Sequence, residues 1–229
     1  MDAVERAIEA LARGDPIMVF DDESRESEVD LVYYAPLINH EKVYNLRVMA
    51  GGLICFATSW KVARGLGLMW GDELISMHEP LKPLTLKRLS YGDRPAFTIW
   101  VNHASVKTGI TDIDRSTTIK ELSNTVSLYV SGDISGAKRK FLEEFQAPGH
   151  VPILASRGLG ERRGHTELVI ALALYGGLEP SMALAEMLTK GRALSVSEAR
   201  NLSEKKKWPL ITGSMIVEAC RDEKVCWSS

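Results

Sequence analysis

The chain has 229 residues, of which 45% are hydrophobic and 25% are charged, which is typical of a soluble globular protein. The formal net charge of -2 at pH 7 excludes a general electrostatic attraction to nucleic acid or to an anionic membrane. No segment is long and apolar enough to span a membrane, the acidic N-terminus is unlike a signal peptide, and the three cysteines form neither a zinc motif nor a disulfide framework. We therefore expect a cytoplasmic protein without nucleic-acid or membrane partners.

The first half of the chain alternates amphipathic helices with short apolar strands. The first helix has Asp2 as its cap and Glu5 three residues later, which is the capping-box pattern. Runs of strand-forming residues such as PIMVF are too short for helices. In chain order, the predicted elements are a helix (2–13), two strands (16–20 and 31–35), a helix (39–51), a strand (53–58) and a short helix (59–68).

The second half begins with an irregular stretch and then continues the same mixture. Residues 79–95 combine prolines with scattered charges, which predicts a long loop. The later predicted elements are a strand (97–101), a helix (114–130), a strand (150–156), three helices (165–177, 180–190 and 196–206), a strand (209–212) and a final helix (214–222). Because no repeat or linker interrupts this order, the sequence predicts one catalytic domain over 1–229, of the mixed α/β class, with a mixed sheet flanked by helices.

Residues 21–30, DDESRESEVD, which we call the acidic loop, carry six carboxylates between two predicted strands. Oxygen ligands on a turn suit a hard cation such as Mg²⁺, which usually keeps several of its waters. Runs of charge are also typical of ordinary solvated loops. The pattern alone leaves both interpretations open.

The segment ERRGHTE, residues 161–167, places two arginines just before His165 and Thr166 at the start of an apolar helix. A helix N-terminus offers free N–H groups and a positive dipole end, and arginine and threonine add donors that match a phosphate. In that arrangement His165 stays available to a metal. The alternative is a surface arginine pair beside a capping threonine.

Two separate residues have the chemistry of acid–base catalysts. His150 follows a proline–glycine turn and titrates near neutrality, although a single histidine at a strand edge is more often structural. Glu186 lies in the predicted helix 180–190 among apolar neighbours, so we expect a desolvated carboxylate suited to proton transfer. The alternative for Glu186 is an exposed face of that helix.

The segment 105–118 combines Thr108 and Gly109 with Arg115 and several small hydroxyl residues. Such residues can approach a phosphate closely. The same pattern is equally typical of the cap of the following helix.

Taken in chain order, these motifs resemble 3,4-dihydroxy-2-butanone 4-phosphate synthase, a lyase family of riboflavin biosynthesis. The resemblance rests on DDESRESEVD at 21–30, TGI at 108–110, DRSTT at 114–118, GHV at 149–151 and RRGHTE at 162–167. It spans about residues 1–220, and no second domain follows, as in the stand-alone form of the enzyme.

The resemblance implies a reaction, a cofactor and an assembly. The family converts D-ribulose 5-phosphate to 3,4-dihydroxy-2-butanone 4-phosphate and formate. It implies Mg²⁺ or Mn²⁺, with two ions per site, a mixed α/β fold, and a homodimer whose sites lie near the subunit interface.

The resemblance also implies roles for individual residues. His150 and Glu186 would be the catalytic acid–base pair, and Glu26 and His165 would hold the metal ions. Arg115 would be a further phosphate or shell residue. The substrate-binding set would comprise Arg25, Glu26, Asp30, Thr108, Arg162, Arg163, Gly164, His165, Thr166 and Glu186.

Two other functions stay open on the motifs alone. One is another Mg²⁺-dependent pentose-phosphate enzyme, either an isomerase or an aldolase. The other is a catalytically inactive module that binds a sugar phosphate or a metal. Release of formate from ribulose 5-phosphate distinguishes the synthase from all of these.

Overall fold

A seven-stranded mixed sheet is the centre of the computed structural model, which describes residues 2–87 and 92–227. The strands are β1 (Ile17–Phe20), β2 (Val29–Tyr34), β3 (Cys55–Ser59), β4 (Phe97–His103), β5 (Phe145–Ser156), β6 (Ser181–Glu186), β7 (Leu188–Thr189), β8 (Arg192–Ala193) and β9 (Leu210–Thr212). The order across the sheet is β4-β5-β3-β6-β2-β1-β9, and β7 pairs with β8 separately. β3 runs parallel to β5 and β1 parallel to β9, whereas the other neighbours in the sheet are antiparallel.

Helices cover both faces of this sheet. They are α1 (Ala3–Arg13), α2 (His40–Asn45), α3 (Trp60–Gly65), α4 (Gly71–Ser76), α5 (Asp112–Val130), α6 (Ile134–Glu144), α7 (His165–Tyr175), α8 (Val196–Lys206), α9 (Gly213–Ala219) and α10 (Lys224–Trp227). The chain continues from α2 through a wider helical turn at Leu46–Ala50 and ends it at Gly51, whose φ of 91° is left-handed. Glycine adopts that conformation without steric cost, which explains the predicted end of this helix.

Two apolar cores separate along the strands because successive side chains of a strand point to opposite faces. Leu31 of β2 and Ala185 of β6 belong to the core that includes Ile119 of α5. Their neighbours Val32 and Leu184 belong to the core that includes residues of α1 and α7. The sheet is therefore the middle layer of three, which confirms the predicted mixed α/β class.

The predicted helix at 180–190 is wrong, because this segment forms β6 and then β7. β6 lies between β3 and β2 near the middle of the sheet, and Ser181 to Ala185 are all buried. A strand that is buried on both faces has a continuous apolar run, which periodicity cannot distinguish from a buried helix. Glu186 is thus the last residue of a central strand.

The other predicted elements are present, with small shifts of their ends. Helices α4, α6 and α10 and strand β8 were not predicted. The predicted loop at 79–95 contains a 3₁₀ turn at Lys82–Thr85, and its residues 88–91 lie outside the described residues. Among the helices of the described ranges, none combines the length and the apolar character needed to cross a membrane.

Candidate active site

The acidic loop joins β1 to β2 and is organised by the carboxylate of Asp21, which is fully buried. Asp21 accepts hydrogen bonds from the backbone N–H groups of Glu26 (3.1 Å) and Glu28 (3.0 Å). It also accepts one from the Arg25 guanidinium (3.0 Å). Asp21 therefore fixes the backbone that carries Glu26, a role that the sequence pattern did not reveal.

Glu26, Asp30 and His165 form the centre of the site. The His165 ring lies 3.4 Å from the Glu26 carboxylate through Nδ1 and 3.6 Å from Asp30 Oδ1 through Nε2. One possible ligand atom each from Asp21, Glu26 and His165 lie within 4.8 Å of one another, as a metal site requires. Asp30 Oδ1 is buried and has no hydrogen-bond partner among the described residues. Such an oxygen indicates a ligand that these residues do not themselves supply.

The charges in this centre shift one another's protonation. Burial, together with the nearby Glu186 and Glu26, raises the pKa of Asp30 to about 7 against the opposing effect of His165. Burial by itself lowers the pKa of His165, but Asp30 and Glu26 outweigh it and raise that pKa to about 9. Burial also raises the pKa of Glu28. Without a cation, the centre therefore retains protons near neutral pH, and a divalent cation would compete with them.

Arg162, which comes shortly before the start of α7, lies beside this centre. The buried Glu167 carboxylate pairs with the Arg162 guanidinium and accepts the N–H groups of Arg157 (2.9 Å) and Gly164 (3.2 Å). A helix leaves its first N–H groups without partners inside the helix, so this end of α7 suits an anion. Arg162 Nε is buried and lacks a hydrogen-bond partner within the described ranges. The motif analysis included Glu167 in ERRGHTE but assigned it no role.

Arg25 is held by a residue that the sequence analysis missed. Its Nε and Nη2 atoms lie 2.9 and 2.7 Å from Oδ2 of Asp93. Asp93 comes from the loop predicted at 79–95, which has no periodicity and no motif. The contact joins residues 68 positions apart, so only the fold reveals it.

A pocket of about 110 Å³ collects most of the predicted site residues. Glu186 lies opposite Asp30 in the β2–β6 register, and its Oε2 accepts a hydrogen bond of 2.8 Å from the Leu53 N–H group. The polar lining of the pocket includes Glu26, Asp30, Arg162, His165, Thr166 and Glu186. The prediction that Glu186 lies in a buried helix is wrong, but its placement beside the acidic loop agrees with a role in catalysis.

His150 lies apart from this pocket. It belongs to β5, which is separated from β6 by β3, so the backbones of His150 and Glu186 are about 10 Å apart at least. The His150 ring contacts the Asn102 side chain on the other neighbour of β5, at 3.1 and 3.2 Å. Within one chain, the two predicted catalytic residues are therefore not brought together.

Three further predicted residues also lie elsewhere. Thr108 donates through its N–H and hydroxyl groups to Asp114, in the first turn of α5, at 3.2 and 3.0 Å. Arg115 pairs with Asp112 at 3.2 Å. The Arg163 guanidinium lies over the Trp227 ring, 5.7 Å from its centroid. Only Arg162 of the arginine pair lines the pocket.

Comparison with known protein families identifies the family of the chain. A model of the family described as 3,4-dihydroxy-2-butanone 4-phosphate synthase matches residues 5–219. The chain belongs to this family. The synthase of Archaeoglobus fulgidus is 36% identical over 226 residues, which cover 95% of this chain and 93% of the relative. This coverage matches the stand-alone form of the synthase, and the predicted family and the predicted lyase of riboflavin biosynthesis are confirmed.

Solved synthase structures have the same fold. The synthase of Candida albicans is 28% identical, with a TM-score of 0.72 and coverage of 94% of this chain and 95% of that one. A synthase crystallised in complex with two magnesium ions has a TM-score of 0.69 at 23% identity and covers 97% of this chain and 99% of its own. The synthase fold inferred from the motifs is confirmed.

Proposed function

We propose that the chain converts D-ribulose 5-phosphate to 3,4-dihydroxy-2-butanone 4-phosphate and formate in the pocket that contains Glu26, Arg162 and Glu186. One observation carries the proposal. A single pocket in a chain of this family collects an acidic centre, an arginine at a helix N-terminus and a separate carboxylate. These parts match a sugar phosphate. Cations can bind the oxygens of its sugar end, and an anion-binding site can bind its phosphate.

The acidic centre fits a pair of divalent cations. Glu26 and His165 would hold them, and the unpartnered Oδ1 of Asp30 is available to the sugar or to water on the metal. Mg²⁺ and Mn²⁺ both accept carboxylate oxygens. Bound ions would polarise the substrate carbonyl and stabilise negative charge on its oxygens. Two ions are also present in one synthase of the same fold.

Arg162, Thr166 and the N-terminus of α7 form the proposed phosphate site. Thr166 is buried and lines the pocket one residue inside the helix. Arginine matches a phosphate with two parallel N–H donors, and the helix end adds backbone donors. Arg162 Nε still lacks an acceptor among the described residues, which supports an anion there.

Glu186 and His150 are the proposed proton-transfer groups. The reaction removes a proton beside a ketone and later returns protons to the rearranged carbon skeleton, so two separated groups can serve different steps. Glu186 is placed for this by the N–H group of Leu53.

A homodimer would complete the site. His150 is exposed and lies on the far side of β3 from Glu186, so a second copy of the chain is the proposed source of the histidine in each pocket. The pocket volume of about 110 Å³ in one chain is below the roughly 300 Å³ of typical small-molecule sites, which fits a site with a second contributor. Thr108 and Arg115 would come from the same second chain.

The test of the proposed function is formate release. Purified protein incubated with ribulose 5-phosphate and Mg²⁺ is expected to release one formate for each substrate consumed, and EDTA is expected to abolish the release. An isomerase or aldolase would consume the substrate without formate, and an inactive binding module would leave it unchanged. Either result contradicts the proposal.

The metal site has its own test. Mg²⁺ is expected to raise the Tm of the wild type, because an ion that binds only the folded state stabilises it. Glu26→Gln should reduce this rise strongly, whereas Glu41→Gln, at an exposed position of α2, should keep it. Equal Mg²⁺ responses of both variants would show that Glu26 is not a ligand. One catalytic domain over 1–229 and a cytoplasmic location stay predictions.

A further inference from the structure

The carboxylate of Asp93 binds two of the arginines assigned to the substrate. Its Oδ2 atom accepts two hydrogen bonds from Arg25, at 2.9 and 2.7 Å, and lies 3.8 Å from Nε of Arg162. One oxygen atom therefore stands between two guanidinium groups. That is the position at which an oxygen of a bound phosphate would find donors on both sides.

The Asp93 contact does not satisfy the Nε group of Arg162, whose charge is paired with Glu167. At 3.8 Å the Arg162 Nε group is too far from Asp93 for a hydrogen bond, and within the described chain it has no other acceptor. A phosphate has more oxygens than one carboxylate, so it can bond Arg25 and Arg162 at the same time. The arrangement thus favours a phosphate over Asp93 once the substrate is present.

The backbone beside Asp93 is anchored, so its position is a built feature of the fold. The Pro95 carbonyl accepts hydrogen bonds from Arg157 at 3.1 and 3.3 Å. The Arg157 side chain is only 3% exposed, and its guanidinium lies 4.0 Å from the centre of the Trp70 ring. Trp70 in turn stacks on Trp60. These contacts fix the backbone next to Asp93, whose carboxylate lies beside Arg25 and Arg162.

The negative charge of Asp93 and its neighbours opposes the binding of a phosphate beside Arg25. Arg25 is surrounded by Asp21, Glu26 and Asp93, so the surroundings of the proposed phosphate site already contain several negative charges. A substrate phosphate that enters beside Asp93 meets its repulsion as well as the attraction of the arginines. Binding therefore requires that the Asp93 side chain release Arg25 and Arg162.

We infer that Asp93 is an internal anion that occupies the phosphate subsite between Arg25 and Arg162 and is exchanged for the phosphate of the substrate. The inference rests on the proposed function, since it specifies the phosphate end of that site. Asp93 holds the two guanidinium groups in place while the subsite contains no ligand. It also weakens binding, because a competing internal group lowers the fraction of the protein that is ready to bind.

Titration with inorganic phosphate tests the exchange without turnover. Phosphate binding is measured by calorimetry in EDTA for the wild type, for Asp93→Asn, and for Asp222→Asn as a control. Asp222 is exposed in the C-terminal segment, and its replacement changes the net charge equally. Asp93→Asn is expected to lower the phosphate Kd about tenfold, and Asp222→Asn to leave it unchanged. An unchanged or higher Kd for Asp93→Asn overturns the inference, as does a failure of all three proteins to bind phosphate.

A second variant protects the test against misfolding. If Asp93→Asn melts far below the wild type, the phosphate titration is carried out with Asp93→Ala instead. This variant is also expected to lower the phosphate Kd. In turnover, either variant should lower KM for ribulose 5-phosphate, since the exchange acts on binding. A higher KM would instead mean that Asp93 helps to bind the substrate, and it overturns the inference. Absence of formate from every protein would count against the proposed function and leave the phosphate titration valid.

Discussion

At the scale of single residues, Asp30 and His165 hold protons in the metal-free site, and a divalent cation would compete with these protons. Both are buried, and each shifts the protonation of the other. The pKa of His165 is raised to about 9 from an ordinary value near 6.5, so its contribution to stability is full below about pH 6.5 and is lost as the pH rises through about 9. The pKa of Asp30 is raised to about 7, so its folded form also holds a proton more tightly than the unfolded chain. Both shifts make the metal-free protein less stable at higher pH.

We therefore expect these two groups to lower the Tm of the protein in EDTA between about pH 4 and about pH 9. His165→Asn removes one of the two titrating groups and should flatten this fall, as followed by circular dichroism across the pH range. Comparison of the two proteins removes the contribution of groups elsewhere. Parallel curves for the wild type and the variant would show that His165 does not carry the effect.

Glu186 belongs to the same scale, since its role depends on one carboxylate. Glu186→Gln keeps an oxygen that can accept the Leu53 N–H group, so the fold of the strand end should persist. Loss of the proton-transfer group should lower formate release at least 100-fold, within the roughly 10²–10⁴ range of acid–base catalysis. Glu41→Gln is the control and should match the wild type. A variant with more than a tenth of the wild-type rate would contradict the assignment of Glu186.

Much of the site could be predicted from residues in local motifs. Glu26, Asp30, Arg162 and His165 come from two segments whose chemistry is visible in ten or fewer consecutive positions, and the fold brings them together. Asp93 could not be predicted, because its meaning arises only from contact with Arg25 across the fold. The role of a residue outside any motif, such as Asp93, can be inferred only once the structure shows its contacts.

Among the elements, β6 shows that an apolar run does not by itself distinguish a buried strand from a buried helix. SMALAE is rich in helix formers, yet the segment pairs with β2 and β3 as a central strand. Burial on both faces outweighs the helix preference of alanine, methionine and leucine. By contrast, α1 begins at Asp2, whose side chain accepts the predicted N–H bond, so its start followed from local sequence.

The first turn of α7 gives a test at the scale of an element. Glu167 and Glu198 occupy the same capping position in α7 and α8, but the Glu167 carboxylate is fully buried against Arg162 whereas Glu198 is at the surface. Removing one partner of a buried ion pair leaves the other unpaired, so Glu167→Gln should lower the free energy of unfolding by about 3 kcal/mol. Glu198→Gln should cause a clearly smaller loss, because exposed pairs contribute little. Urea unfolding measures both, and equal losses would contradict the buried pairing of Glu167.

At the scale of the whole molecule, the fold places His150 and Glu186 far apart within one chain. β3 separates their strands, and the His150 ring is turned to Asn102. The sequence predicted both residues and the dimer by resemblance, but sequence order carries no information on which chain supplies which group. The proposed site made by two chains would account for the separation without a change of fold.

A mixed dimer measures this directly. Chains with His150→Ser and chains with Glu186→Gln, each inactive alone, are produced together with different tags, and the dimer that carries both tags is purified. If each pocket uses His150 of the second chain, one of its two pockets is intact. Formate release from ribulose 5-phosphate with Mg²⁺ should then reach about half of the wild-type rate per dimer. Release no higher than that of the two parent variants would contradict a synthase site built from two chains.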